Sequence, residues 1–258
     1  MEGSKGCSAS TEPGSSESGR LNGMYEKLPS KVRSVLDKVA LTWIWATSHN
    51  HSEAFERWID YRIQIHGARA AVGGFDMGIG ELQLKFLKQE GMEAEHTFLD
   101  VGCGSLRGGR YFIDYLEEGN YTGMDINESI ILEGKSIVDE DLLVEKDPTF
   151  LVNDDLQFDE FEGTFDYILA LSVLTHLPRA DIVECLANAH KVMDSGSRFY
   201  FTYFDPQVKD YTGDLKSFSY SRGTLAQMAN ENGLAINFVD PDEFPHPRNQ
   251  RMAQLRLG

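Results

Sequence analysis

Two periodicities divide the chain. In its first third, apolar residues recur every three or four positions. Val32, Val35, Leu36, Val39 and Trp43 do so behind Ser30, and Phe55, Trp58, Ile59 and Ile65 behind Ser52. Each set predicts an amphipathic helix with a hydroxyl N-cap. The stretch HGARAAVGGFDMGIG from His66 reads as a glycine-rich turn. Ile79, Leu82, Phe86 and Leu87 then share a helical face, and Gly91 supplies the stop. From Thr97 the pattern changes to short β-branched or aromatic runs: TFLDV, YTGMDI, TFLVN, FDYILAL, RFYFTYF, AINFV and RMAQLRL. Helical patterns lie between them at Arg107–Glu117, Glu128–Asp139, Pro178–Met193 and Arg222–Asn232. This alternation predicts an α/β fold, a mostly parallel sheet with helices on both faces. The last two runs are separated by a loop with Pro241, Pro245 and Pro247 and no helix, so they are expected to pair antiparallel. The result is seven strands with the last reversed, behind an N-terminal helical extension.

The pattern also sets the domain boundaries. Residues 1–23, rich in Ser, Gly and Glu, offer almost nothing to bury and are expected to be a disordered tail. Residues 24–78 form a helical cap or lid carrying Trp43, Trp45, Trp58 and Tyr61, and residues 79–258 the main domain. The apolar faces of the cap helices are expected to be buried.

Charge narrows the partners. The formal net charge is −17. Residues 1–71 contribute +1 of it and residues 72–258 contribute −18. A nucleic-acid partner is bound by clustered Lys and Arg, which the larger part lacks, so nucleic acid is disfavoured. The longest nearly apolar stretch, VALTWIWA from Val39, is far below the ~20 residues of a membrane span. Cys7, Cys103 and Cys185 form no CxxC pair, and no basic-then-apolar signal segment opens the chain; a reducing cytoplasm is the expected location. His49 and His51 form an H-x-H without further ligands, which reads as a surface loop; no metal site is expected.

The informative chemistry lies in TFLDVGCGSLRGGRYF, where a strand runs through glycines into a helix. Gly102 and Gly104 let a ligand approach the backbone, and the helix start presents free N–H groups. Twenty-three residues after Gly102, the second strand ends in Asp125, placed to accept hydrogen bonds from ribose hydroxyls. A dinucleotide fingerprint would need a third glycine where Arg107 stands. Asp100 ahead of the loop would repel a pyrophosphate but can orient the loop or meet an ammonium group.

D-x-G-x-G followed by an acid at the end of strand two resembles the binding loop of class I S-adenosylmethionine-dependent methyltransferases of the small-molecule branch. The resemblance covers Thr97 to Gly258 and includes FLVNDDLQF, FEGTFDYILALSVLTHLP and HKVMDSGSRFYFTYF, in the family's order. It implies a Rossmann-like fold and S-adenosyl-L-methionine as cofactor. Asp100, Gly102, Cys103, Gly104, Arg107, Asp125, Ile126 and Leu171 would then surround that cofactor. The Asp154 side chain would meet the adenine amino group, and the Asp155 backbone the ring edge. Arg107 would pair with the cofactor's carboxylate or form a surface salt bridge. The cap would lie over the crevice as a lid, or serve as a stabilising cap or a dimer contact.

A sulfonium methyl is already activated, so such an enzyme mainly holds a nucleophile in line and excludes water. Acceptor groups are expected to enter from the carboxyl ends of strands four and five, an edge supplied by Ser172, Thr175 and His176 on one side and Tyr203, Phe204 and Asp205 on the other. His176 is the candidate general base, with a loop-fastening role as its alternative. Tyr211, Phe218 and Tyr220 in the long loop after strand five could face a flat acceptor or simply pack that loop. The expected activity is methyl transfer to O or N of a small organic acceptor. The alternatives are a protein or RNA methyltransferase, or a non-catalytic regulator that binds the cofactor.

Overall fold

The computed structural model describes residues 15–66, 78–206, 211–214 and 217–258. Seven strands form one sheet: β1 (Phe98–Val101), β2 (Tyr121–Asp125), β3 (Thr149–Val152), β4 (Tyr167–Ala170), β5 (Arg198–Tyr203), β8 (Leu234–Phe238) and β9 (Arg251–Leu257), in the order β3-β2-β1-β4-β5-β9-β8. The pairs from β3 to β5 are parallel. β9 runs antiparallel to β5 and to β8, the reversed last strand the proline-rich loop implies. A separate hairpin, β6 (Tyr211–Asp214) with β7 (Ser217–Ser219), occupies part of the segment expected to be a plain loop.

Alternation along the strands sorts the core into two layers. Leu99 and Val101 of β1 pack with Ile182 and Leu186 of α8 (Arg179–Asn188) and Leu225 and Met228 of α9 (Arg222–Glu231). Phe98 faces the other way, onto Phe86 and Leu87 of α4 (Ile79–Gln89) and Phe112 and Ile113 of α5 (Gly109–Tyr115). α6 (Glu128–Ile137) begins behind Asn127, whose side chain accepts from the Ile130 N–H at 3.1 Å. The short α7 (Glu140–Lys146), capped by Asp139, is an addition to the sequence-based reading.

The N-terminal helices depart from expectation in three ways. Residues 15–23, read as disordered, belong to α1 (Ser15–Glu26). This Ser-rich helix has little apolar periodicity of its own. It is held through Tyr25, 6% exposed, whose ring meets His66 edge-on at 5.2 Å. Residues 1–14 of the expected tail, and most of the glycine-rich turn at residues 67–77, lie outside the described residues. The N-caps also shift. Pro29 precedes α2 (Ser30–Thr47) with no side-chain cap, and Asn50, not Ser52, accepts from the Glu53 N–H near the start of α3 (His51–His66).

The third departure is larger. Val32, Val35, Leu36, Val39 and Trp43 do share a face of α2, but it points to solvent, at 42–61% exposure. α2 packs on α3 through its opposite side, where Ile44, with Ala40, Leu41 and Trp45, meets Ala54 and Trp58.

Candidate active site

The glycine loop leaves β1 at Val101 and is fastened to β2 by backbone bonds. Gly102 (φ 72°) and Cys103 both donate to the Met124 carbonyl, at 2.8 and 2.9 Å. Gly104 (φ 55°) donates to Asp125 Oδ2 at 2.9 Å, while Asp125 Oδ1 accepts from the Asn127 N–H at 3.1 Å. The left-handed backbone at both glycines is where a side chain would be strained. At Gly102 a Cβ would also press into the side chain of Val173. Asp125 thus shapes the loop. Its two oxygens carry about four lone-pair directions. Two are used by these bonds and the Ile126 N–H also lies against the carboxylate, which leaves about one acceptor direction for a ribose hydroxyl. A Cβ at Gly104 would make only ordinary contacts, with the Ile130 side chain at 3.9 Å and the Gly102 carbonyl at 4.0 Å. These features fit an adenosyl ligand held by ribose hydroxyls.

Asp100 lies beneath the loop rather than on it. It is 6% exposed and accepts a hydrogen bond from the Tyr121 hydroxyl at 2.8 Å. Burial pushes its carboxyl up to about 7, aided by the Asp125 charge and opposed by the Tyr121 bond. Cys103 is buried against Gly123, whose missing Cβ makes the room, and burial raises its thiol well above the ordinary range. It is a packing residue here. Arg107 is half-buried at the point where α4 crosses the loop, its carbonyl close against Gly80. Ile126 and Leu171 stand half-buried after β2 and β4.

Beyond β3, Asp154 is exposed and Asp155 is engaged locally. The Asp155 N–H donates to Asn153 Oδ1 at 2.8 Å, and its carboxylate accepts from the Gln157 N–H at 2.9 Å. Its backbone N–H is therefore already used within this turn. The Glu56 carboxyl of α3 is raised by burial and then by Asp60 and Asp154, so α3 comes near this end of the site.

At the carboxyl end of β4, Ser172 takes a left-handed φ of 59°. Its N–H donates to Thr202 Oγ1 at 2.7 Å and its hydroxyl to Gln250 Oε1 at 3.0 Å, which fixes the turn that carries His176. Thr175 and Tyr203 are 1% and 2% exposed, so these two residues of the expected acceptor-entry edge sit in the core instead. Asp205 is turned to Arg222 at 3.3 Å. Phe218 and Tyr220 are buried and stacked on each other, with ring centroids 6.5 Å apart; no side-chain placement is described for Tyr211.

α3 spans the ends of these strands. Asn127 donates through Nδ2 to Asp60 Oδ1 at 2.7 Å, and Ile59 packs on Ile130, flanked by Phe55 and Ile63. The Phe55 ring lies 5.2 Å from that of His176. His51 is not on a surface loop. Its ring is 5.6 Å from Phe218, stacks on Phe55, and has Nδ1 3.9 Å from Asp181 Oδ2. Burial raises the Asp181 carboxyl and His51 pulls it down. The surface-loop reading of the H-x-H pair misses that the spacing of His51 from Phe55, Ile59 and Ile63 puts all four on one helical stripe. His49, by contrast, is exposed and pairs with Glu53 at 2.8 Å. Among the described residues no group of His, Cys, Asp or Glu could hold a metal.

Residues 99–199 match the family described as methyltransferase domain. Among solved structures, the chain is similar to the DhpI–SAH complex, with 16% identity and a TM-score of 0.59 over 82% of this chain and 99% of that one. It is also similar to magnesium protoporphyrin IX methyltransferase from Synechocystis PCC 6803 with bound SAM, with 15% identity and a TM-score of 0.58 over 82% and 99%. The glycopeptide N-methyltransferase MtfA in complex with S-adenosyl-L-homocysteine gives 11% identity and a TM-score of 0.54 over 70% and 90%. The sheet order and the reversed last strand agree with these matches: the chain has their Rossmann-like fold, and its residues 99–199, which hold the glycine loop and Asp125, are similar to a methyltransferase domain.

Proposed function

We propose that this chain transfers the methyl group of S-adenosyl-L-methionine to an oxygen or nitrogen of a small organic acceptor. The observation that carries this reading is the DVGCG loop bonded to Asp125 beneath α3. Gly102, Gly104 and Ile126 offer the adenosyl group a close backbone and an apolar wall, and Asp125 accepts from its ribose. Asp154, exposed beyond β3, is assigned to the adenine amino group, and Arg107 to the carboxylate of the methionyl part. When bound, the cofactor supplies an electrophilic methyl on its sulfonium. α3 acts as the lid: with Phe55, Ile59 and Ile63 against Ile130 and His176, it excludes water from the reacting centre. His176, on the turn after β4, accepts the proton if the nucleophile must lose one.

The structural neighbours named for a porphyrin and a glycopeptide substrate support a small-molecule acceptor, and the acidic main domain is a poor match for RNA. A screen of phenols, carboxylic acids and amines with methyl-labelled cofactor tests the assignment. Label is expected in at least one small acceptor. Cofactor binding without transfer to any acceptor class would make the protein a regulator instead.

A further inference from the structure

The exposed stripe on α2 combines two properties that rarely occur together on an acidic protein. The first is apolar surface. At 100° per residue, Val32, Val35, Leu36, Val39 and Trp43 fall within an arc of about 100°, a continuous band three turns long. Each of the five is at least 42% exposed. The second is positive charge. Between Lys27 and Thr47 the chain carries Lys27, Lys31, Arg33 and Lys38 against one acid, Asp37. Lys31 and Lys38, both exposed, border one side of the band; Arg33 borders the other, half-buried with its guanidinium over the Tyr25 ring at 5.9 Å. Asp37 lies on the opposite face and accepts a hydrogen bond from the Tyr61 hydroxyl at 3.0 Å, so it does not offset them. At the far end of the band, Arg57 of α3 stands over the Trp43 ring at 5.3 Å.

We infer that this face of α2 docks the protein on an anionic lipid surface, with the helix lying in the interface plane. A helix with an apolar stripe, a tryptophan and flanking lysines, and no long apolar run, is the type that rests on a bilayer without spanning it. A second copy of the chain is a poorer occupant. In an antiparallel pair related by a two-fold axis, Lys31 and Lys38 would face their own copies. In a parallel pair they would face Arg33, and like charges repel in both. The −18 carried by residues 72–258 would be repelled by the same lipid, so it also orients the molecule with α2 toward the bilayer.

The test uses the full chain and co-sedimentation with vesicles of phosphatidylcholine alone or mixed equally with phosphatidylglycerol. Binding is expected to the mixed vesicles, at least tenfold above the neutral ones, and to fall with added salt. Lys31→Glu with Lys38→Glu should weaken it by roughly fivefold or more per lysine. Val35→Asp with Val39→Asp should abolish it. All four positions are exposed, so the melting temperature of both variants should match wild type, which separates lost docking from lost folding. Trp43 emission should shift to the blue on binding, and Trp43→Phe should remove that shift. Equal binding to both vesicle types, no binding to either, or a dimer in solution that Val35→Asp with Val39→Asp breaks would each overturn the inference.

Discussion

Asn127 donates a side-chain hydrogen bond to Asp60 at 2.7 Å, and it does so from a residue that also caps α6 and follows the Asp125 turn. α3, the proposed lid, is thereby tied to the same short segment that shapes the glycine loop. The position of α3 and the loop geometry are linked through one buried amide, 3% exposed.

Removing the lid side of this bond should be costly out of proportion to one surface carboxylate. Asp60→Ala leaves Asn127 Nδ2 buried without its acceptor, an expected loss of about 1–3 kcal/mol in urea unfolding. Asn127→Ala should lose a cap of about 1 kcal/mol besides. The same Asp60 variant should release S-adenosylmethionine faster in stopped-flow dissociation. Unchanged stability and dissociation would show that α3 is held by its apolar contacts alone.

Asp100 predicts a pH dependence. Its folded carboxyl is raised to about 7 from an ordinary value of 3.8, so between those limits the folded state holds a proton the unfolded state has lost. The corresponding stability is fully present below about 4 and is lost as pH rises toward and through 7. Asp100→Asn keeps an acceptor for Tyr121 and has nothing to ionise. The melting temperature of this variant, relative to wild type, should therefore climb from pH 5 to pH 8 in the cofactor-free protein. A constant difference would mean that Asp100 is ionised throughout, with its charge compensated inside the fold.

The glycine loop and its tie to Asp125 are legible in the sequence for a local reason. Gly102, Gly104 and Asp125 are read from spacing because a strand, a tight turn and a helix start leave few conformations open. What escaped depends on long-range partners. Hydrophobic periodicity says which residues of α2 share a face, not which face finds α3, and the more regular stripe lost to Ile44 and Trp45. α1 has a Ser-rich sequence that would be marginal as an isolated helix, and docking through Tyr25 stabilises it. Thr175 and Tyr203 sit at the expected strand edge, but strand alternation and the turn at Ser172 bury them. His51 was discounted as half of an H-x-H pair, although its i+4 neighbours carry the more informative pattern.

The two histidines that bracket Phe55 should separate by function. His176→Gln is expected to lower turnover by ~10²–10⁴-fold with cofactor affinity near wild type, as for loss of a general base. His51→Gln, on the lid near Asp181, should chiefly raise the acceptor KM. If His51→Gln carries the loss in kcat and His176→Gln stays within a few-fold of wild type, the proton acceptor belongs to the lid. If neither variant loses kcat, orientation and water exclusion are the whole of the catalysis.

The most direct test of the account is calorimetric titration of the protein with S-adenosylmethionine, S-adenosylhomocysteine and NAD. Arg107 stands where a dinucleotide loop needs its third glycine, and Asp100 sits below the loop, so the first two ligands should bind and NAD should not. Asp125→Ala should weaken the adenosyl ligands by about 1.5–3 kcal/mol, through loss of charge-assisted bonds to ribose and loop. Tight NAD binding, with no heat from either sulfur-bearing ligand, would contradict the assignment outright.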